Sequence, residues 1–418
     1  MTCPTGLARF DIRPALLEML GDLREIRRDL HKHPELGFDE HRTADIVARN
    51  LRALGLEVVE GVAGTGVVGL LTGAKPGRCV LLRADMDALP VQELNETDYA
   101  STVPRVMHAC GHDGHVAMAL GVARWFAAHV QALEGRIKFV FQPAEEGPGG
   151  ARPMIDAGVL KNPDVDVALG MHLWNSLPVG TIGVTPGPSM ACADWFELDI
   201  FGVGGHGAQP ERTVDPIVAS AHVITALQTI ASRNVDPLDA VVVTVGAIHG
   251  GDADNVIPDR VNLKGTVRAM HAALRAQVEP MMRRVIGGVC DALGARWELR
   301  FAYGYPATVN DAAVSAMVAS CARDVLGDAG EVVAQRTMGA EDMSYFLQHV
   351  PGCYFFLGSN DPARGLIHPH HSPLFDFDDD VLALGAEVMV RAVDAALAGR
   401  YLAEPTPVAS VGVPSAGC

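Results

Sequence analysis

The sequence has no run of apolar residues approaching the roughly 20 that a membrane helix needs. Met1 to Pro14 shows no basic start followed by an apolar stretch, so no secretory leader is expected. Cysteine is sparse: eight residues in 418, scattered at Cys3, Cys79, Cys110, Cys192, Cys290, Cys321, Cys353 and Cys418. In a chain this long that is not a disulfide framework, and a reducing, cytoplasmic setting is expected. Positive charge is also short, with 33 Lys and Arg against 50 Asp and Glu and a formal net charge of −17. Nucleic acid and anionic membrane both reward clustered Lys and Arg, so neither is expected as a partner. An anionic small molecule would need a local donor-rich pocket. What is present, 49% apolar and 20% charged residues, is ordinary for a soluble globular enzyme. The length calls for two domains.

Helical periodicity runs through Leu16 to Leu30 and Thr43 to Leu54. Short β-like runs follow at Gly66 to Leu71, Cys79 to Leu82, Ile137 to Phe141 and Val165 to Leu169, with a helical stretch from about His115 to His129 between the second and third. The runs are mostly apolar rather than alternating, which suits parallel strands buried on both faces. Strands alternating with helices predict an α/β, doubly wound, mostly parallel sheet. Three runs lead directly into polar groups: Arg83-Ala-Asp85-Met-Asp87, Gln142-Pro-Ala-Glu145-Glu146 and Gly170-Met-His172. Ligands of open α/β sheets bind outside the carboxyl ends of the strands, which gives these groups a common physical address.

Pro186-Gly187-Pro188 reads as a hinge. After it the pattern predicts a strand (Trp195 to Gly202), a helix (Pro216 to Ser232), two strands (Ala240 to Ile248, Arg260 to Arg268), a helix (Ala272 to Leu293) and a last strand (Arg296 to Tyr303). That order, β-α-β-β-α-β, is the ferredoxin-like pattern. The expected organisation is a catalytic domain over 1–186 and 305–400, an inserted lid or dimerisation domain over 187–304, and a disordered tail from 401 to 418.

The chemistry concentrates in Cys110-Gly111-His112-Asp113 and Glu145-Glu146. A thiolate, an imidazole and a carboxylate are ligands for zinc-like metals. A second carboxylate beside a ligand carboxylate supplies the proton acceptor that a metal-activated water needs. Gly111 lets the backbone turn so that both neighbouring side chains converge. His368-Pro-His370-His371 can deliver a distant ligand, with Phe375-Asp-Phe377 as its anchor, and His115 reads as a helix residue behind the site. Alone, each of these has a plainer reading: a buried thiol, a core histidine, a solvated Glu pair, a solvated His-rich loop. In the second domain His206 lies among glycines, in Gly204-Gly205-His206-Gly207, as a side chain that reaches out to a ligand would. Asn255 and Arg268 offer donors for an anionic group.

These motifs resemble the dinuclear metallopeptidase family that contains the aminoacylases and glutamate carboxypeptidases. Within it they are most similar to the amidohydrolase branch of hippurate hydrolases, N-acyl-amino-acid amidohydrolases and plant auxin-conjugate hydrolases. The matching stretches are Arg28-Asp-Leu-His-Lys-His-Pro-Glu-Leu-Gly37, Arg83-Ala-Asp-Met-Asp-Ala-Leu-Pro90, Met107-His-Ala-Cys-Gly-His-Asp113 and Gln142-Pro-Ala-Glu-Glu-Gly147. Gly205-His-Gly-Ala-Gln-Pro210, Asn255-Val-Ile-Pro258 and Met338-Gly-Ala-Glu-Asp-Met343 also match, and the resemblance runs from about Leu23 to Leu397. It implies two divalent metal ions held by Cys110 (bridging as thiolate), His112, Glu146, His172 and His371. Glu145 would be the general base and later the acid. His206 would steady the oxyanion from the partner subunit of a homodimer. Asn255 and Arg268 would bind substrate, and Asp87 would support the ligands from behind. Gly250-Gly251-Asp252 departs from the Gly-Gly-Thr expected there.

The implied reaction is hydrolysis of the amide of an N-acyl amino acid or a related conjugate. Zinc, manganese, cobalt and nickel all suit the donor set. Two other readings are a hydrolase with Cys110 as nucleophile and a non-catalytic metal-binding protein. Survival of activity in EDTA marks the first, and absence of turnover on acyl amino acids marks the second.

Overall fold

The computed structural model describes residues 6–402. Its larger sheet has eight strands, in the spatial order Glu57–Val62, Gly66–Thr72, Glu134–Gln142, Lys75–Asp85, Val167–Pro178, Gly352–Asn360, Thr181–Gly183 and Glu331–Val333. The four central strands, from Glu134–Gln142 to Gly352–Asn360, are mutually parallel. Three of them contain apolar runs read from the sequence, and the fourth, Gly352–Asn360, was not read; all four are buried on both faces. The Gly66–Thr72 strand departs from expectation. It pairs antiparallel with both neighbours, because a short hairpin joins it to the exposed edge strand Glu57–Val62. The edge strand escapes the pattern because it is mostly exposed and carries Glu57 and Glu60.

Lys138 interrupts a central strand yet is buried, its ammonium donating to the carbonyls of Val159, Lys161 and Pro163 at 2.8–3.0 Å. Those three carbonyls replace the water that burial removes. The helices Pro14–Lys32, His112–Ala128 and Val381–Leu397 pack against one another on one face of the sheet. His112–Ala128 is buried on nearly every side, which explains its apolar composition all round.

Between Asp194 and Tyr303 the chain builds a second, four-stranded antiparallel sheet, ordered Val241–His249, Arg260–Ala269, Asp194–Phe201, Arg296–Tyr303. The helices Pro216–Thr229 and Ala272–Leu293 pack together on it. Leu198, Val223, Leu263, Met282 and Ile286 lie in its own hydrophobic core. This is the ferredoxin-like unit the pattern predicted. The stretch read as a hinge forms a short strand, Gly187–Met190, paired antiparallel with the returning segment Thr308–Asn310. The two crossings into and out of the second unit therefore run side by side.

Tyr401 is buried within the short turn Arg400–Leu402; the remainder of the expected tail lies outside the described residues. Among those residues no helix is long and apolar enough to cross a membrane. Six cysteines there are free and buried.

Candidate metal centre

The site forms where the carboxyl ends of the parallel strands meet the start of the His112–Ala128 helix. Gly111 caps that helix with φ +88°, a left-handed conformation open to glycine and costly for other residues. The turn lets Cys110 and His112 face one space. His172 lies inside the Val167–Pro178 strand rather than just beyond it, opposite Phe356 of the neighbouring strand. His371 arrives from the loop before the last helix with φ +65°, an uncommon state for a residue with a side chain. Its amide donates to the carbonyl of Ala109 at 2.8 Å, tying the loop to the Cys110 turn. Phe375 and Phe377, expected as anchors, are both buried.

The five residues expected to hold metal converge from these separate elements. Donor atoms of Cys110, His112 and His172 lie within 4.8 Å of one another, and so do those of Cys110, Glu146 and His371. Cys110 is common to both groups. Its Sγ is 3.5 Å from His172 Nε2, and His371 Nε2 is 3.0 Å from Glu146 Oε1. His112, Glu145 and Glu146 form a third such group.

Hydrogen bonds orient the imidazoles. His112 Nδ1 is 2.9 Å from the Asp87 carbonyl and 3.2 Å from its Oδ1. Nδ1 therefore donates, and in the neutral imidazole Nε2 presents a lone pair to the cluster. That Nε2 is buried with no hydrogen-bond partner. His172 Nδ1 likewise donates to the Leu173 carbonyl, turning Nε2 toward Cys110. A histidine whose outer nitrogen is held while its inner one is free is oriented as a metal ligand. Asp87 does this for two ligands, since its Oδ2 also accepts the Glu146 amide at 3.0 Å. His115 stands behind the site, as expected: Nδ1 contacts Asp85 at 2.6 Å and Nε2 accepts the Leu173 amide at 2.9 Å.

Negative charge exceeds positive charge in this cluster. Burial alone would lower the His112 pKa, yet Asp85 and Asp87 raise it to about 10. A cation placed there would answer the same pull that holds the proton. Burial pushes the Cys110 thiol well above its usual range, reinforced by Glu146 and Glu145; burial also pushes His172 well down, helped by His115 and His370. Burial, Glu341 and Glu146 push the Glu145 carboxyl well up. For Glu146, burial acts upward as well but is outweighed by His371 and His112, which hold it below the usual range. Soft sulfur, free imidazole nitrogens and surplus carboxylate together fit divalent cations.

Sequence reasoning missed the shell behind Glu145. Arg83, fully buried, spans Asp85 at 2.7 Å and Glu341 and Asp342 at 2.9 Å. Tyr305 donates to the Glu145 carbonyl at 2.8 Å. Glu341 and Asp342 fall within the stretch Met338–Met343, which carried the only signal of their role.

A cavity of about 840 Å³ opens beside the cluster; Cys110, Glu145, His172, Trp174, Arg268 and Tyr305 are in its wall. Arg268 thus faces the site. His206 and Asn255 do not line this cavity. They sit side by side on an exposed two-stranded ribbon of the second unit, where Val256 pairs with His206 and the Gly207 amide donates to the Asn255 carbonyl at 2.8 Å.

The family model described as peptidase family M20/M25/M40 matches residues 81–395. The chain is 44% identical to thermostable carboxypeptidase 2 of Saccharolobus solfataricus over 87% of its length and 92% of that protein. It is 46% identical to the N-acyl-L-amino acid amidohydrolase of Geobacillus stearothermophilus, over 73% of its length and 82% of that protein. With the IAA-amino acid hydrolase ILR1-like 4 of Arabidopsis thaliana the identity is 42%, covering 91% and 85%. Among solved structures, the Bacillus subtilis YXEP protein, described as a dinuclear metal binding peptidase from the M20 family, superposes with a TM-score of 0.80. It is 33% identical, with 91% of this chain and 99% of that one covered.

Proposed function

The chain belongs to peptidase family M20/M25/M40 and is a metal-dependent amidohydrolase; from that premise we propose that its substrates are N-acyl amino acids or related conjugates, hydrolysed at the amide. The observation that carries this reading is the meeting of Cys110, His112, Glu146, His172 and His371, with Glu145 beside them and Arg268 facing the same cavity.

In the proposed arrangement these five residues would hold two divalent ions. When bound, such a pair acidifies a water and polarises the scissile carbonyl. Glu145 takes a proton from the attacking water as the water's oxygen adds to the acyl carbon. As the carbon–nitrogen bond breaks, Glu145 returns the proton to the leaving amine. His206, from the second subunit of a homodimer, donates to the oxyanion. Arg268 binds the amino acid's carboxylate, a charge-assisted pairing that suits a guanidinium, and Asn255, beside His206, reaches the substrate from the second subunit. The second unit, taken over 187–304, serves as the lid or dimerisation domain, and 1–186 with 305–400 as the catalytic domain. We place the enzyme in the cytoplasm.

Catalysis by the Cys110 thiolate is disfavoured by the same surroundings. A reactive cysteine needs a lowered pKa and a basic imidazole, and burial moves Cys110 and His172 in the opposite directions. The test is a substrate panel run on EDTA-stripped enzyme reconstituted separately with zinc, manganese, cobalt and nickel. The panel holds hippurate, acetyl amino acids, auxin–amino acid conjugates and unblocked dipeptides. Hydrolysis of acyl amino acids that returns only with metal is the expected result. Activity that survives EDTA, or no turnover on any acyl amino acid, overturns the proposal.

A further inference from the structure

Arg27, on the helix Pro14–Lys32, is fully buried and contributes nothing to the cavity wall. Its guanidinium divides its donors among three carboxylates from two distant segments. Nε donates to Asp113 at 2.9 Å, Nη2 to Asp376 at 2.7 Å and Nη1 to Asp379 at 3.2 Å. Asp113 follows His112 in the chain, and Asp376 and Asp379 follow His371. The plane lies over the Phe377 ring, 4.2 Å from its centroid. Tyr99 closes the far side, donating to Asp376 Oδ2 at 2.6 Å. His31 steadies Asp113 from the same helix, 2.8 Å from its Oδ2.

A planar fork with fixed donor directions sets the separation of the groups it bridges, which a flexible ammonium does not. We propose that Arg27 is a positioning residue for the metal centre: it fixes the helix start that carries His112 against the loop that carries His371, so that both imidazoles are in place before a cation arrives. The inference rests on His112 and His371 being ligands. It accounts for a buried ion cluster that does not line the cavity.

The test compares wild type, Arg27→Lys, Asp376→Asn and His371→Ala as full-length proteins loaded with cobalt. Equivalents of cobalt retained are counted across a chelator titration, the visible absorption bands are recorded at saturating cobalt, and melting is followed in the cation-free state. Arg27→Lys and Asp376→Asn should release cobalt at roughly tenfold lower chelator concentration, with displaced absorption bands. Asp376→Asn carries the test alone if Arg27→Lys does not fold, since Asp376 sits at the edge of the cluster. Retention within about twofold of wild type and unchanged bands, while His371→Ala loses cobalt, overturn the proposal. Unchanged bands with weaker retention that merely follows a lower melting temperature also overturn it, by showing a role in general stability. His371→Ala retaining both equivalents overturns the ligand assignment, and the proposal with it.

Discussion

Glu145 and Glu146 are covalent neighbours held in opposite electrostatic states. Burial, Glu341 and Glu146 push Glu145 up toward the protonated form, whereas His371 and His112 outweigh burial to keep Glu146 ionised. Two carboxyls driven apart in this way divide the labour of acid–base work and ligation. Glu145→Gln preserves volume and removes only the proton acceptor. It should therefore keep both cations by elemental analysis while kcat falls about 10²–10⁴-fold. A rate near wild type removes Glu145 from the base role. His31 gives a second prediction at this scale. Burial and Arg27 lower its pKa, but Asp113 and Glu93 more than reverse that and hold it at about 9. Below about pH 6.5 the imidazole is charged whether the chain is folded or not, and its full contribution to stability is present. As pH rises toward 9 the unfolded chain gives up a proton that the folded one keeps, so stability declines by up to about 3 kcal/mol. Thermal unfolding in excess chelator should show this fall between pH 6.5 and 9, and His31→Gln should flatten it. The candidate ligands and Glu145 were singled out because soft and hard ligand types crowd into short motifs. Arg27 and Arg83 were not, since nothing in a local pattern says that an arginine is buried or which distant carboxylates surround it.

At the scale of the element, the centre depends on how a helix begins. Gly111 must turn the chain left-handed, and a β-carbon added there would approach Leu173 Cδ1 at 3.2 Å. Gly111→Ala meets both the backbone penalty of about 1–2 kcal/mol and that contact. It should lower the denaturation midpoint accordingly, and it should weaken cation retention because Cys110 and His112 flank the turn. An unchanged midpoint would show that this turn is free to relax. The helix Ala312–Leu326 and the central strand Gly352–Asn360 were not read, but five long helices and eight strands were readable from periodicity, and Ala272–Leu293 and Arg296–Tyr303 match their observed bounds. Strand direction was less so. Gly66–Thr72 is as apolar as the parallel strands, because an antiparallel strand in the interior of a sheet is also covered on both faces. Its orientation comes from the hairpin with Glu57–Val62, whose exposed, acidic sequence gave no strand signal.

Across the whole molecule, the residues read as one active site split into two groups. The five candidate ligands, Glu145 and Arg268 share one space within a single chain. His206 and Asn255 are exposed on the second unit and face no part of that cavity. A donor meant for the oxyanion must reach within hydrogen-bond range of it, so in this arrangement either the lid swings His206 into its own site or a second copy supplies it. The exposed ribbon and the complete ligand set in one chain favour the second copy, under the two-fold symmetry common to homodimers. Complementation separates the two routes. Glu145→Gln and His206→Ala chains, each inactive alone, are co-expressed with different tags and the mixed dimer is purified through both. If His206 acts across the interface, one site of the mixed dimer carries both lesions and the other carries neither. The purified mixed dimer should then recover about half the wild-type rate, and an unfractionated equal mixture about a quarter, because half of randomly paired dimers are mixed. If His206 serves its own chain, every site of the mixed dimer carries one lesion, and the rate stays at the level of the parents.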